Sequence, residues 1–386
     1  MEKNLLIIHG GAPTAVMNAS LYGAVMEARD SGKAAAVLGA RGGALGVLRE
    51  DFIRLDTIPE QDLRRLLRTP ASAIGTSRDH LEPQDYERMA RVLRERHIGY
   101  VLYNGGNGSM DACGKLARAC AGMGICVVGI PKTIDNDLAV TDHAPGFGSA
   151  ARYLAATVRE VSEDVRALPI HVCVIEAMGR NAGWLAAASA LARNEEGNGP
   201  HMILCPEAPF EEAAFLSEVE RLTRRHGGVV IVASEGLCNK DKRPIVEPVF
   251  QSGRSVYYGD VSAHLCSLII QKLGIKARGE KPGICGRASI AWQSEVDRQE
   301  AELAGREAAR AALGGQTEVM VGFERCSGGA YRIVPRLIPI REVMLHERTL
   351  PKEHLAPGQM DVTAEYLDWC RPLVGELPDD FFRIMA

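Results

Sequence analysis

The sequence is poor in several features that would point to a particular class of protein. Aromatic residues make up 5% of the chain, the net charge is −4, and no apolar run approaches the length of a membrane span. This charge gives no electrostatic reason to expect a nucleic acid or an anionic membrane as a partner. The N-terminal apolar run is also too short for a signal peptide.

Common cofactor and metal motifs are missing as well. The ten cysteines are scattered, with no CxxC motif and no paired Cys/His spacing, which argues against a zinc site or a disulfide framework. A reducing, cytoplasmic location is therefore expected. Neither GxGxxG nor GxxxxGK[ST] occurs, so the usual dinucleotide and P-loop interpretations lose support.

Glycine and apolar residues are abundant instead, with 40 glycines and 46% hydrophobic residues among 386 positions. A short apolar run, a glycine turn and a helical pattern recur along the chain, for example at residues 4–11, 98–106 and 171–179. Continuous apolar strands separated by helices predict parallel sheets covered on both faces, an α/β fold. Right-handed crossovers would place the glycine turns at one edge, where open α/β sheets bind ligands.

The length of the chain is sufficient for two domains. Soft boundaries are expected near residues 141–149 and 276–287. Residues 296–312 predict a helix whose charges form a solvated face, and residues 362–374 predict a terminal helix.

Two glycine turns are candidate anion sites. Residues 9–20 join the first strand to a helix, and a second turn contains Gly105, Gly106, Asn107 and Gly108. Backbone amides at a helix N-terminus attract phosphate, although a glycine turn can also be only a turn. Ser109 then follows, and its simplest role is to cap the next helix.

The segment GIPKTIDNDL, residues 129–138, carries the most chemical information. Lys132 suits a phosphate, Thr133 offers a hydroxyl, and Asp135 and Asp137 would share a side if the segment were extended. One carboxylate could accept a proton while another group holds magnesium. The alternative is an Asx-rich turn.

Further polar residues follow later strands. Arg180 could reach a phosphate or a sugar beside a backbone wall of Met178 and Gly179, and Glu235 suits sugar hydroxyls. Arginines suit bidentate phosphate binding, although each alone is as readily a surface residue; two more are Arg278 and Arg287.

Together these motifs resemble the phosphofructokinase family of the bacterial glycolytic type, over nearly the whole chain. The matching segments, in order, are GGAPTAVMNAS, GTSR at 75–78, GGNGS, PKTIDND, EAMGR, PE at 206–207, SEG and PGICGR. The opening segment and SMD after GGN look most like the pyrophosphate-using branch. The resemblance implies two doubly wound Rossmann-like domains with mainly parallel sheets and the active site in the cleft between them.

It also implies domain roles. Residues 1–145 with approximately 286–340 would bind the phosphoryl donor, approximately 146–285 would bind the sugar phosphate, and approximately 341–386 would be a C-terminal extension. The implied enzyme is a cytoplasmic phosphotransferase that uses Mg²⁺ and acts on fructose 6-phosphate. It would be a homodimer or homotetramer in which Arg278 arrives from a neighbouring subunit, with no nucleic-acid or membrane partner.

The resemblance implies a role for each site residue. Asp135 would be the base on the 1-hydroxyl, Asp137 would support it, and Asn107 would be a weak metal contact. The implied catalytic residues are Asp135, Thr133, Asp137, Arg180 and Lys132. Those implied at the donor phosphates are Gly11, Arg78, Gly106, Asn107, Gly108, Ser109 and Lys132. Those implied at the sugar phosphate are Thr133, Asp135, Met178, Gly179, Arg180, Glu235, Arg278 and Arg287.

The chain departs from the family pattern at several positions. Asn107 replaces the aspartate on the magnesium side, Ile284 and Gly286 replace a histidine and a glutamine, and His171 replaces an arginine. The last three weaken the assignment of fructose 6-phosphate, so another ketose phosphate such as sedoheptulose 7-phosphate stays open. A catalytically silent regulatory subunit and a sugar-phosphate-binding module are further alternatives.

The phosphoryl donor is open too. In the family, a lysine at the position of Lys132 goes with pyrophosphate, whereas a glycine at the position of Gly108 leaves room for ATP. The branch resemblance favours pyrophosphate, with ATP as the alternative.

Overall fold

Strands and helices alternate along most of the chain, as the sequence predicts. The computed structural model describes residues 3–194, 197–252, 255–378, 381–382 and 384. The first elements are β1 Asn4–His9, α1 Met17–Ser31, β2 Val37–Ala40, α2 Ala44–Leu48, β3 Phe52–Arg54, α3 Glu60–Leu63, α4 Pro83–Glu95, β4 Ile98–Gly105, α5 Asn107–Ala119 and β5 Cys126–Pro131. The middle elements are α6 Phe147–Ala167, β6 His171–Ala177, α7 Trp184–Ala188, β7 Met202–Leu204, α8 Glu212–His226, β8 Val229–Ser234, β9 Pro248–Ser252, β10 Ser255–Tyr258, α9 Val261–Leu273 and β11 Lys276–Glu280. The last elements are α10 Ile284–Ala288, α11 Glu295–Leu313, β12 Val319–Arg325, β13 Ile333–Pro339 and α12 Ala364–Val374.

The chain forms two compact units. The first contains Met1–Ser149 and Arg287–Arg348, and the second contains Ala150–Gly286 and Thr349–Ala386. The predicted C-terminal extension is divided between them, because residues 341–348 belong to the first unit and residues from 349 onward to the second. The assignment of donor and sugar phosphate to these units, and the placement of the active site, stay predictions.

The sheet of the first unit brings three strand ends to one edge. Its order is β13-β12-β5-β4-β1-β2-β3, with parallel pairing except between β12 and β13 and between β2 and β3. His9 is paired with Asn104, and Asn104 with Ile130. The two glycine turns and the acidic loop after β5 therefore start at the same level of the sheet, as predicted.

Apolar side chains cover both faces of this sheet. Leu6 and Ile8 of β1 pack into one buried cluster that includes residues of α4 and α5. Leu5 and Ile7 point to the other face and pack with residues of α1 and α11. This alternation explains why the strands are apolar without interruption, since a parallel sheet between two helix layers is buried on both faces.

Helix α11 confirms the predicted helix at residues 296–312, but not the interpretation of its charges. Its small residues let it approach α1 so closely that a Cβ at Gly305 would overlap the backbone of Ser20. Asp297 and Glu300 lie on its buried side, 2% and 6% exposed. The prediction of a solvated charged face is therefore wrong at these two positions, where the buried carboxylates accept hydrogen bonds from other segments.

The second unit contains an all-parallel sheet of order β11-β6-β8-β7. Strands β6 and β8 are neighbours, with Ala177 paired to Ser234, so the loops after them begin side by side. One buried cluster joins Val172 and Val174 of β6 to side chains of α8 and α9. None of the described helices of either unit is both long and apolar enough to cross a membrane.

Candidate active site

The first glycine turn is held against the GTSR segment. The Gly11 amide donates to the Ser77 carbonyl over 2.8 Å, and the Gly11 carbonyl accepts a 2.8 Å hydrogen bond from Thr76 Oγ1. These bonds bring the neighbouring Arg78 to the edge where β1 ends. The structure therefore joins two segments that lie far apart in the sequence.

The second glycine turn leads directly into α5. Gly106 is the N-cap residue and Asn107 is the first residue of the helix, so Ser109 lies in the first turn and does not cap it. The predicted capping role of Ser109 is wrong because the helix begins at Asn107, two residues before Ser109. Ser109 is 8% exposed. Its hydroxyl packs against Gly10 and Gly105, in space that a Cβ on either glycine would need.

Lys132 is a buried cation at the start of the acidic loop. Its side chain is 4% exposed, and its Nζ donates a 2.5 Å hydrogen bond to the Ala12 carbonyl. A Cβ placed on Gly11 would lie 3.4 Å from the same Nζ. The ammonium group is thus fixed beside the backbone of the first glycine turn.

Other charges act on this lysine. Burial lowers the pKa of Lys132 to about 8; Asp135 opposes that change, and the charges of Arg78 and Arg287 add to it. Burial, and then the charge of Arg78, also lowers the pKa of Arg287. Asp137 also acts on Lys132, so the first unit gathers three cations and two carboxylates, a net positive group suited to an anion.

Asp137 is held by two side-chain donors. Thr133 Oγ1 donates to its Oδ1 over 2.9 Å, and Asn107 Nδ2 donates to its Oδ2 over 2.8 Å. Burial raises the pKa of Asp137, and these two hydrogen bonds oppose that increase. Asn107 thereby ties the second glycine turn to the acidic loop.

Asp135 and Asp137 do not lie along an extended stretch. Asn136 between them has a left-handed φ of 53°, and its Oδ1 accepts a 3.1 Å hydrogen bond from the Ala144 amide. The loop bends here, so the extended segment that would place both carboxylates on one side is not formed, and the Asx-rich turn is the alternative that the structure supports. Asp135 instead turns its amide to Thr133 Oγ1, 3.0 Å away, and its charge acts on Lys132.

His9 is a buried residue whose place at this edge the sequence analysis did not recognise. It is fully buried at the end of β1, and its Nδ1 lies 2.8 Å from Ser72 Oγ. Burial, assisted by the charge of Lys132, lowers the pKa of His9 to about 3, so the ring is neutral. The sequence did contain a signal for this placement, since His9 stands directly before Gly10 at the end of the first apolar run.

In the second unit, the loop after β6 is tied to the end of β8. The Gly179 amide donates to Glu235 Oε1 over 3.3 Å, and the Gly179 carbonyl accepts from Ser234 Oγ over 2.7 Å. Burial raises the pKa of Glu235; the Gly179 amide and the charge of Arg180 oppose this. Met178 is half-buried and Arg180 is exposed. The structure thus places four of the predicted sugar-phosphate residues near one another: Met178, Gly179, Arg180 and Glu235.

Arg278 is separated from that group within one chain. It lies in the middle of β11, paired with Cys173, whereas the loop carrying Met178 begins after the end of β6. Its side chain is exposed, and so is that of Ile284, which is 66% exposed. The single chain therefore leaves Arg278 outside the group formed by the other residues of this unit.

Comparison with known proteins decides the family, since a phosphofructokinase family model matches residues 4–312. The chain belongs to the phosphofructokinase family. It is 36% identical to the pyrophosphate–fructose 6-phosphate 1-phosphotransferase of Rhodospirillum rubrum, over 99% of this chain and 97% of that one. It is 38% identical to the enzyme of the same name from Xanthomonas campestris pv. campestris, over 97% of this chain and 92% of that one. The crystal structure of the pyrophosphate-dependent phosphofructokinase from Nitrosospira multiformis is similar with a TM-score of 0.89 and 31% identity, over 100% of this chain and 95% of that one.

The family assignment confirms the predicted α/β fold with mainly parallel sheets. Phosphofructokinases are phosphotransferases that generally need a divalent metal. Within the described ranges, no group of three or more His, Cys, Asp or Glu side chains is placed to hold a metal ion. Asn107 Oδ1 is nevertheless buried, with no hydrogen-bond partner among the described residues, and it lies beside Asp137. This oxygen fits a metal that takes most of its ligands from a bound phosphate chain.

Proposed function

We propose that this phosphofructokinase transfers a phosphoryl group from pyrophosphate to the 1-hydroxyl of fructose 6-phosphate, giving fructose 1,6-bisphosphate and phosphate. The observation that carries the proposal is the buried Lys132 ammonium held at the Gly11 turn, in a chain whose full-length relatives carry pyrophosphate in their names. Pyrophosphate lacks a nucleoside that could anchor it, so its affinity must come from charge. The fixed Lys132 cation supplies that charge.

The donor is proposed to bind along the edge formed by the two glycine turns. The residues assigned to its phosphates are Gly11, Arg78, Gly106, Asn107, Gly108, Ser109 and Lys132. Ser109 lies in the first turn of α5, where its hydroxyl packs against Gly10, directly after β1, and Gly105 of β4. Cations preorganised around the moving group stabilise the charge that develops on it, which is the main contribution that phosphotransferases make.

Asp135 is assigned as the base that takes the proton from the 1-hydroxyl. It is half-buried, and its carboxylate interacts with the Lys132 and Arg287 cations. Thr133 and Asp137 complete the group: the threonine holds the reacting hydroxyl or phosphoryl, and Asp137 fixes the threonine through its 2.9 Å hydrogen bond.

Mg²⁺ is proposed as the metal, with Asn107 Oδ1 as its weak protein contact and the donor phosphates as its main ligands. When bound, the ion would neutralise charge on the donor. The protein's own part is to orient the Asn107 amide, whose nitrogen is committed to Asp137 and whose oxygen is left free for a cation.

The residues assigned to the sugar phosphate are Thr133, Asp135, Met178, Gly179, Arg180, Glu235, Arg278 and Arg287. Glu235 would accept from sugar hydroxyls beside Met178 and Gly179, while Arg180 would meet the transferred group and Arg287 the sugar phosphate. The exposure of Arg278 in the middle of β11 supports the proposal that it serves a neighbouring subunit of a homodimer or homotetramer. The proposal also includes a cytoplasmic location.

ATP is the second candidate donor, and one observation favours it. No described atom lies within 4 Å of a Cβ placed on Gly108. Space is therefore open at the position where the family resemblance expects a nucleotide phosphate to need room. A pyrophosphate would leave that space unused.

The test is an assay of the purified chain with Mg²⁺ and either fructose 6-phosphate or sedoheptulose 7-phosphate, each given pyrophosphate or ATP in separate reactions. Formation of fructose 1,6-bisphosphate from pyrophosphate is the expected result. Formation from ATP alone would replace the donor, and formation of product only with sedoheptulose 7-phosphate would replace the acceptor. No turnover with any of these pairs would reject the enzyme assignment and favour a regulatory subunit.

A further inference from the structure

A second polar cluster lies in the first unit, around a buried histidine that the proposed chemistry does not use. His143 is 1% exposed; its Nδ1 lies 2.8 Å from Asp142 Oδ2 and its Nε2 lies 2.6 Å from Glu300 Oε2. An ionised carboxylate only accepts hydrogen bonds, so both ring nitrogens must donate. A neutral imidazole carries one N–H, and the geometry therefore requires an imidazolium.

Both carboxylates also accept hydrogen bonds from other segments, which favours their ionised forms. Tyr331 OH donates to Glu300 Oε1 over 2.6 Å, and Arg325 Nη2 donates to Asp142 Oδ2 over 3.1 Å. The Arg325 guanidinium also lies 4.9 Å from the centre of the Tyr331 ring. The histidine and arginine cations balance the two carboxylates, so the cluster is neutral and can be buried.

The same cluster holds the segment that supports the acidic loop. Within residues 141–146, the Pro145 carbonyl accepts from the Thr133 amide over 3.1 Å, and the Ala144 amide donates to Asn136 Oδ1 over 3.1 Å. Gly146 is fixed in turn, because its amide donates to buried Asp297 Oδ1 over 2.8 Å. Two hydrogen bonds therefore join the segment that carries His143 to the loop of residues 132–137.

Arg348 forms a further connection between the segment of His143 and the acidic loop. Its side chain donates to the carbonyls of Thr141 and Asp142, and its amide donates to the Asp137 carbonyl over 2.8 Å. The backbone of the acidic loop and the backbone around His143 are thus bound to a common residue. A change at His143 has a short path to the carboxylates proposed for catalysis.

We propose that His143 is a positioning residue, an imidazolium clamp that fixes residues 141–146 and through them Thr133, Asp135 and Asp137. The kinetic part of this inference rests on the phosphoryl transfer proposed above, whereas the clamp itself does not. Burial lowers the pKa of His143, but the carboxylates of Glu300 and Asp142 outweigh that effect and raise it to about 9. The clamp is therefore complete at neutral pH and is lost as the pH rises through about 9.

The first test is the protonation state of the ring in the full chain labelled with ¹⁵N-histidine. His143→Gln assigns its signals by difference. We expect both ring nitrogens to show imidazolium shifts from pH 7 to pH 8, where an ordinary histidine is mostly neutral. A neutral His143 at pH 7 would overturn the inference.

The second test is hydrogen exchange of the loop in His143→Gln. We expect exchange to be at least tenfold faster in peptides covering residues 132–137, with β8 of the second unit unchanged. His201→Gln is the matched control, since His201 is half-buried in the second unit and accepts a 3.0 Å hydrogen bond from the Val230 amide, with no carboxylate partner among the described residues. Unchanged exchange in the loop would overturn the clamp.

Kinetics complete the test and separate the two proposals. The expected result is at least a tenfold lower kcat in His143→Gln, with the KM for sugar phosphate within threefold; a kcat within threefold of wild type would overturn the positioning role. If His143→Gln does not fold, Glu300→Gln removes the charge with little change in shape, and the same three measurements apply. A wild-type chain without turnover would reject the proposed function, while the NMR and exchange results would still decide the clamp.

Discussion

Replacing Lys132 by methionine tests the donor site most directly, because the structure predicts opposite effects on activity and on stability. Methionine keeps the buried aliphatic volume but removes the ammonium that donates to Ala12 at the Gly11 turn. Loss of one preorganised donor to a developing negative charge typically costs a factor of about 100 to 1,000 in rate. We expect a loss of this size in kcat/KM for pyrophosphate.

The free energy of unfolding should increase in the same variant. Burial holds the pKa of Lys132 near 8, against 10.5 for a free lysine. Each pKa unit corresponds to about 1.4 kcal/mol, so keeping this ammonium charged costs the folded state about 3 kcal/mol below pH 8. Loss of the hydrogen bond to Ala12 offsets about 1 kcal/mol. We therefore expect Lys132→Met to be more stable by about 2 kcal/mol at pH 7.

The sign of the pH dependence follows from the same numbers. Between pH 8 and 10.5 the unfolded chain binds the Lys132 proton and the folded chain does not, so wild-type stability rises with pH in this window. The neutral variant has no such rise, and its advantage should disappear towards pH 10.5. Turnover of the wild type with pyrophosphate should fall over the lower part of this window, as the ammonium loses its proton.

Urea unfolding from pH 7 to 10.5 and steady-state kinetics with pyrophosphate measure both effects. Lys132→Arg keeps a charge throughout this range and should lose the alkaline fall in turnover. Lys115→Met is the matched control, since Lys115 is exposed on α5 and pairs with Asp111 at 2.6 Å. A Lys132→Met variant that is less stable at pH 7, or that retains kcat/KM within threefold, would refute the reasoning.

Three further substitutions test the remaining parts of the site. Asp135→Asn should lower kcat about 1,000-fold while calorimetry finds the affinity for sugar phosphate within threefold; near-normal turnover would reject Asp135 as the base. Gly108→Asp should fold normally, because its Cβ meets no described atom within 4 Å, and should suppress any ATP turnover at least tenfold; an unchanged ratio of ATP to pyrophosphate turnover would contradict the blocking argument. Glu235→Gln should raise the KM for sugar phosphate about tenfold with kcat within twofold, and an unchanged KM would exclude Glu235 from sugar binding.

The strand ends and their turns were predictable from sequence because their signals are local. An uninterrupted apolar run followed by glycines marks the carboxyl end of a buried parallel strand, whatever the rest of the chain does. Residues directly after such runs, including Gly11, Asn107 and Lys132, therefore fall at one sheet edge, where the structure places them. Their chemical roles came from the family resemblance and stay proposals.

The buried acids were not predictable in this way. Glu300 lies in a helix rich in charges, and its partner His143 is 157 positions away in the sequence. Helical periodicity alone cannot distinguish an acid in a solvated face from one that meets a distant imidazolium. The interpretation of the 296–312 charges as solvated was wrong at Asp297 and Glu300 for this reason.

The bend between Asp135 and Asp137 was missed for a related reason. Asparagine reaches the left-handed region more easily than most residues, so Asn136 was a local signal for a turn. What holds it there is the Ala144 amide, which lies beyond the loop. The local sequence indicated a turn as one alternative, and a nonlocal hydrogen bond selects it.

The structure also changes how the conflicting donor signals are understood. Lys132 is buried and bound to Ala12, so its charge faces the first glycine turn for either donor. Gly108 acts differently, because it only leaves space open beside α5 and contributes no attraction of its own. An attractive group is needed by a small donor without an anchor, whereas an empty space only permits a larger one. The two residues are therefore compatible in one enzyme, in which we propose that Lys132 favours pyrophosphate and that Gly108 would set how much ATP is tolerated.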